Sequence, residues 1–274
     1  MESRNFEFLR GDFRELADLA AFAESYVYAD PVSAFVKLRT FAEFLVKAVF
    51  AHYRLELNYQ STLNDLLHDA SFKAITPAVI QDKLHLLRIK GNHAAHGTLF
   101  KDAEARAPEF LKEAHDLGRW LILTTIGRPA ASVPEWQPIP RQAETDKELQ
   151  RKTKAALAKI AEQEALMAKL LSDLETARAQ AENASKSEAE LALILKQAQQ
   201  AANALDFSEE ETRFKLIDEM LAAVGWDVGS RGVNTSQVGQ EVEVLHQPTT
   251  TGKGYIDYVP VSYTHLTLPT KRIV

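Results

Sequence analysis

The chain has 274 residues, a net charge of −6 and 46% apolar residues. That suffices for one large core or two small ones, and abundant Ala and Leu beside few Gly and Pro favour helix over an all-β fold. The acidic balance leaves any DNA contact to a local basic patch or to partner subunits, and the lack of cysteine excludes disulfides and thiolate zinc sites and fits a reducing cytoplasm.

The opening MESRNFEFLRGDFREL mixes charged and apolar residues with no signal-peptide core, and no apolar run is long enough to span a membrane. Residues 1–127 are expected to form a compact antiparallel helical bundle. Asp30 followed by Pro31 is a helix start, an N-cap with proline in the first turn. Beyond it Phe35, Leu38, Phe41, Ala42, Leu45 and Val49 repeat with helical period and face a core. Thr76–Pro77 repeats the start signal, and Gly91 is expected to stop the helix that follows. The pattern EFLKEAHDLGRWLILTTI closes the bundle, with Pro108 setting its start or a kink. The expected core includes Phe35, Leu38, Phe41, Leu45, Leu84, Leu87, Trp120 and Leu121.

Residues 128–145 read as a linker; the stretch from Gly127 to Gln142 holds four prolines and can be neither regular helix nor central strand. Residues 146–205 carry a four-three series from Leu149 to Leu205 in which fourteen of seventeen positions are apolar. That is a heptad seam. Nine acidic and nine basic residues balance one another, and Glu148–Lys152 and Glu182–Lys186 are favourable i,i+4 pairs. A single helix of this length would run roughly 90 Å. It is expected to project from the bundle nearly unbroken, as a spacer or a coiled coil, with close packing or a break near Asn183–Ser187.

Residues 206–260 change character again. Ser208 and Glu211 form a capping-box pattern before an amphipathic helix along Phe214, Ile217, Leu221 and Val224, which Gly225 ends. Strand character follows around Val242–Leu245 and, after the turn TTTGKG, in YIDYVPV. A helix and then a hairpin suit the opening of an α/β nuclease domain.

Two groups of residues could carry chemistry. Asp257, flanked by Ile256 and Tyr258, could be a strand-borne carboxylate that ligates Mg²⁺, which would position water and offset charge on a phosphodiester. It could equally face solvent on an edge. Glu211 could add a ligand or simply serve its cap. Such a site also needs a further carboxylate and a lysine, and no Asp or Glu follows Asp257. In LRIKGNHAAHG, Arg88 and His93 could act in ribonuclease chemistry, His as acid–base and Arg on the phosphorane. The alternative is that both stabilise a helix C-terminus, whose free carbonyls and dipole favour cations.

Taken together, NFEFL, KLRTFAEFLVKAV and LRIKGNHAAHG resemble the helical leader of the R (restriction) subunit of type I restriction–modification enzymes, a domain of the DUF4145 kind related to the HEPN helical families. SEEETRFKLIDEMLAAVGWDV and GKGYIDYV resemble the opening of that subunit's restriction endonuclease domain. There, a glutamate–threonine–arginine helix and an aspartate–tyrosine strand precede a Glu-x-Lys. The resemblance spans about residues 5–259 and lies in the combination and order of the pieces. It implies a mainly α chain: a helical bundle, a long coiled-coil-like helix, then an incomplete α/β endonuclease-like domain. It further implies a cytoplasmic subunit that, when whole, cleaves DNA with Mg²⁺ after ATP-driven translocation. Its partners would be the methyltransferase and specificity subunits, and the specificity subunit would choose the DNA target. Asp257 matches the family's metal-binding aspartate and Glu211 the glutamate of its helix. The Glu-x-Lys and the helicase motor have no counterpart here. Residues 261–274, VSYTHLTLPTKRIV, depart from the family pattern and resemble a translated adapter tail, so the native frame is expected to end near Val259 or Pro260. The competing expectations are a HEPN-type ribonuclease or toxin using Arg88 and His93, and a non-catalytic helical adaptor.

Overall fold

The computed structural model describes residues 2–56, 61–95, 103–141, 187–245 and 253–260. These residues are mainly helical, with one two-stranded antiparallel sheet. The chain divides into two compact units, Met1–Thr212 and Arg213–Val274.

The first unit is built around α2 (Pro31–Tyr53), which packs against α1 (Arg14–Tyr26), α5 (Ala78–Ala95) and α6 (Ala103–Leu121). The expected start signal works as read: the Ser33 N–H donates to Asp30 Oδ1 at 3.1 Å, and Pro31 occupies the first turn. Every residue expected in the core, from Phe35 to Leu121, is buried. Two short helices, α3 (Leu63–His68) and α4 (Ala70–Ile75), fill the α2–α5 connection. Thr62 and Asp65 form a capping box for α3, and Asp69 ends α3 and caps α4 through the Ser71 and Phe72 N–H groups. Pro108 lies inside α6, which starts five residues earlier, so it sets neither the start nor the end of that helix. From Ile122 the helix widens into a π-helical turn that ends at Gly127, in the left-handed region at φ 73°.

Gly91 differs from expectation. It does not stop α5, which runs on to Ala95. A Cβ at Gly91 would lie 2.3 Å from Arg39 Cβ and 2.9 Å from the Phe35 carbonyl oxygen, so glycine is required for α2 and α5 to approach this closely.

The proline-containing stretch 128–141 is not a free linker. It has no regular structure beyond a 3-10 turn at Ala130–Ser132, but it lies along the bundle as a strap. The Asn5 side chain pairs with the Gln137 backbone in both directions: Nδ2 donates to the carbonyl at 3.0 Å and Oδ1 accepts from the N–H at 2.8 Å. The Tyr28 hydroxyl donates to the Ile139 carbonyl, Arg128 bridges to Asp12, and Val133 is buried.

The expected long helix falls mostly outside the described residues, since 146–186 are not among them. Its last part is α7 (Glu188–Ala204), a separate helix with its own capping box between Ser187 and Glu190. It does not project; it packs on α4 and α6. Ala198 and Ala202 are buried, and Trp120 Nε1 donates to the Ala198 carbonyl at 3.2 Å. The seam is real over this stretch, but it faces the bundle itself.

Helix α8 (Glu209–Ala223) follows, and the division between units falls within it. The Glu211 N–H donates to Ser208 Oγ at 3.1 Å, and Gly225, at φ 90°, ends the helix with its N–H on the Ala222 carbonyl. In the second unit, β1 (Val238–Leu245) pairs antiparallel with β2 (Lys253–Pro260). Residues 261–274 and 246–252 lie outside the described residues, and the last two residues of the expected turn TTTGKG, Lys253 and Gly254, already belong to β2.

Candidate functional site

In the second unit Asp257 sits near the middle of β2, exposed to solvent. Gln240 pairs with Tyr258 and Val242 with Ile256, and these two pairs bracket Glu241 on β1 and Asp257 on β2. Glu241 was not anticipated: the strand was read from Val242, and β1 begins four residues before that. Its backbone is in the left-handed region, at φ 50°, where a residue with a Cβ is strained. Next to Asp257, the Tyr258 hydroxyl donates to Asp218 Oδ1 at 2.7 Å. Burial, and then this bond and the charges of Asp218 and Asp257, push the phenol well above its usual range. Tyr258 therefore stays protonated and serves as a fixed donor between β2 and α8. Arg231 lies over the Phe214 ring, 4.5 Å from its centroid.

Glu211 is exposed in the first turn of α8. Among the described residues, no three His, Asp or Glu side chains gather into a group able to hold a metal. The donor set of these residues does not fit the Mg²⁺ that the resemblance implies. One exposed strand carboxylate with a second on the paired strand supplies too few ligands for an ion that wants six.

In the first unit Arg88 and His93 are both half-buried on α5, with His93 in its last turn. The helix is unbroken between them, so a five-residue spacing turns the two side chains about 140° apart around its axis. The chemistry expected of the pair needs them to converge on one phosphate, and α5 holds them divergent. Burial first, and then the neighbouring Arg39, push the Arg88 guanidinium below its ordinary range. His85, one turn earlier, is pushed down to about 4 by burial and by Arg88, His68 and Lys73.

Another polar cluster was not read from the sequence. Lys83 on α5 is buried and ion-paired with Glu113 and, at 3.4 Å, with Asp116, both on α6. Lys112 reaches Asp116 from outside at 3.4 Å, and the Phe207 ring lies 4.8 Å from Lys83 Nζ. Burial pushes Asp116 up, but His115, Lys83 and Lys112 outweigh it and hold the carboxyl below its ordinary value. With Lys112 the charges balance, and Lys83, Glu113 and Asp116 are themselves buried, so the geometry is that of a structural tie between α5 and α6. His115 beside it is fully buried, with Phe6, Phe8 and Trp136 rings edge-on at 5.4–5.7 Å.

No described helix is long and apolar enough to cross a membrane. No family model, curated protein or solved structure matches the chain.

Proposed function

We propose that this chain is the amino-terminal part of the restriction subunit of a type I restriction–modification system. The full-length subunit would cleave DNA using Mg²⁺ and ATP, in complex with methyltransferase and specificity subunits. The observation that supports this reading is the order of elements after residue 208. A helix opening with Glu209–Glu210–Glu211–Thr212–Arg213 is followed by a hairpin whose second strand carries Asp257–Tyr258. That order, downstream of a helical bundle, is the succession on which the resemblance rests.

In this reading Asp257 is the carboxylate that the completed site would use, and Tyr258, anchored on Asp218, holds β2 against α8 beside it. The described ligand set is insufficient by itself, so the purified chain with Mg²⁺ should leave supercoiled plasmid DNA intact. Plasmid cleavage that disappears in Asp257→Ala would overturn that expectation. The family reading has its own test, the locus that encodes the chain. Methyltransferase and specificity genes should adjoin it, and their products should co-purify with the chain when all are expressed together. A locus with neither gene, or a chain that elutes alone, would sink it.

A further inference from the structure

We propose that Arg39 and Arg88, brought together where α2 and α5 touch at Gly91, form a binding site for a phosphate group. On α5, Arg88 and Gly91 are three residues apart and share a face. Arg39 crosses from α2 directly over Gly91, where any larger residue would collide with its Cβ. The missing side chain at position 91 therefore lets the Arg39 stem lie against α5 one turn from Arg88, whose guanidinium feels the Arg39 charge.

Both arginines are half-buried, and the Nε atom of each is shielded from water without a hydrogen-bond partner. Among the described residues neither guanidinium has a carboxylate partner. The nearest acidic residues along the same helices are committed elsewhere: Glu43 is ion-paired to Lys47, and Asp82 has a partner of its own. The charged groups that act on His85, one turn before Arg88, are Arg88 itself, His68 of α3 and Lys73 of α4, none of them acidic. Two like charges held near each other and partly desolvated repel, and an anion entering between them would relieve that repulsion. Planar guanidinium groups match the tetrahedral oxygens of a phosphate through paired N–H donors, which singles out phosphate over a halide. His85 is neutral at physiological pH and adds a polar ring without further repulsion. This site does not depend on the restriction-subunit reading, which rests on the second unit.

The full-length chain would be titrated with inorganic phosphate and, separately, with a short single-stranded oligonucleotide, following thermal melting and isothermal heat. Phosphate should raise the melting temperature of the wild-type chain by mass action. Arg39→Gln and Arg88→Gln should each weaken phosphate binding by roughly tenfold or more. Without phosphate, both variants should melt no lower than wild type, because each removes a repulsion. A purely structural role for the arginines predicts the reverse. If the oligonucleotide competes with phosphate and its binding weakens with salt, the ligand is a phosphodiester in a nucleic-acid strand. If phosphate binds and the oligonucleotide does not compete, it is free phosphate. An equal phosphate response in wild type and both variants, or none in wild type, overturns the proposal.

Discussion

At the scale of single residues, Gly91 shows how one letter can carry two opposite meanings. A helix stop and a close helix–helix contact both demand the absence of a Cβ. The sequence of α5 alone therefore cannot separate them; only the position of Arg39 and Phe35 on α2 does. The two meanings predict different mutants. Alanine at an ordinary helical glycine gains up to about 1 kcal/mol. Gly91→Ala should instead lose about 1–3 kcal/mol in chemical denaturation, because the new methyl meets the backbone of α2 as well as a side chain. An unchanged or raised midpoint would mean that α2 and α5 are not in this contact. His85 supplies the pH counterpart. Its folded pKa of about 4 lies below the ordinary 6.5, so between these values the unfolded chain binds a proton that the folded chain refuses. Stability should thus fall as pH drops from 6.5 toward 4, and be unaffected by this group above that window. His85→Asn should flatten the acid side of the stability profile, measured by denaturant melts at each pH. Identical slopes in the two proteins would contradict the assignment.

At the scale of elements, much was legible where a local rule acts alone. The Asp30–Pro31 start, the helical stripe from Phe35 to Val49, the Gly225 stop and the strand around Asp257 all follow from short-range chemistry. Helices α1, α3 and α4 were not anticipated. The last two hold six residues each, too short to display a periodicity, and their capping carboxylates emerge only with the backbone in place. Glu241 escaped because the register that brings its stretch of β1 alongside that of Asp257 is a property of two strands, not of either. The heptad seam was expected to be a solvated spacer or a coiled-coil face, and over α7 the bundle covers it instead. Alternation states that a face is buried, and is silent on whether a second chain or the same chain covers it. Since Ala202 is buried against the bundle, Ala202→Asp should force a charge into that contact and release α7. Hydrogen exchange should then speed up across 188–204 while α2 stays protected. Loss of protection throughout the bundle would show that α7 is integral to its core rather than laid upon it.

At the scale of the whole molecule, the anchoring of α7 changes what the heptad region means for the chain. The strap runs along the bundle as far as Arg141, tied by Asn5, Tyr28 and Glu104, and α7 returns to the same unit through Trp120 and the buried alanines. Both ends of the intervening 142–186 are therefore fixed to one body, and that stretch is topologically an excursion rather than a tether between bodies. A closed excursion costs little to lengthen, about 0.6 kcal/mol per doubling. Inserting residues there should leave the melting of the bundle almost unmoved. It also has an unusual consequence under proteolysis. If an engineered protease site between Gln142 and Lys186 is cut, the chain becomes two polypeptides, yet the carboxyl-terminal piece keeps its hold on the amino-terminal one through α7. The nicked protein should elute as a single species in size-exclusion chromatography and separate only in denaturant or after Ala202→Asp, so the bundle would behave as a receptor for its own severed half.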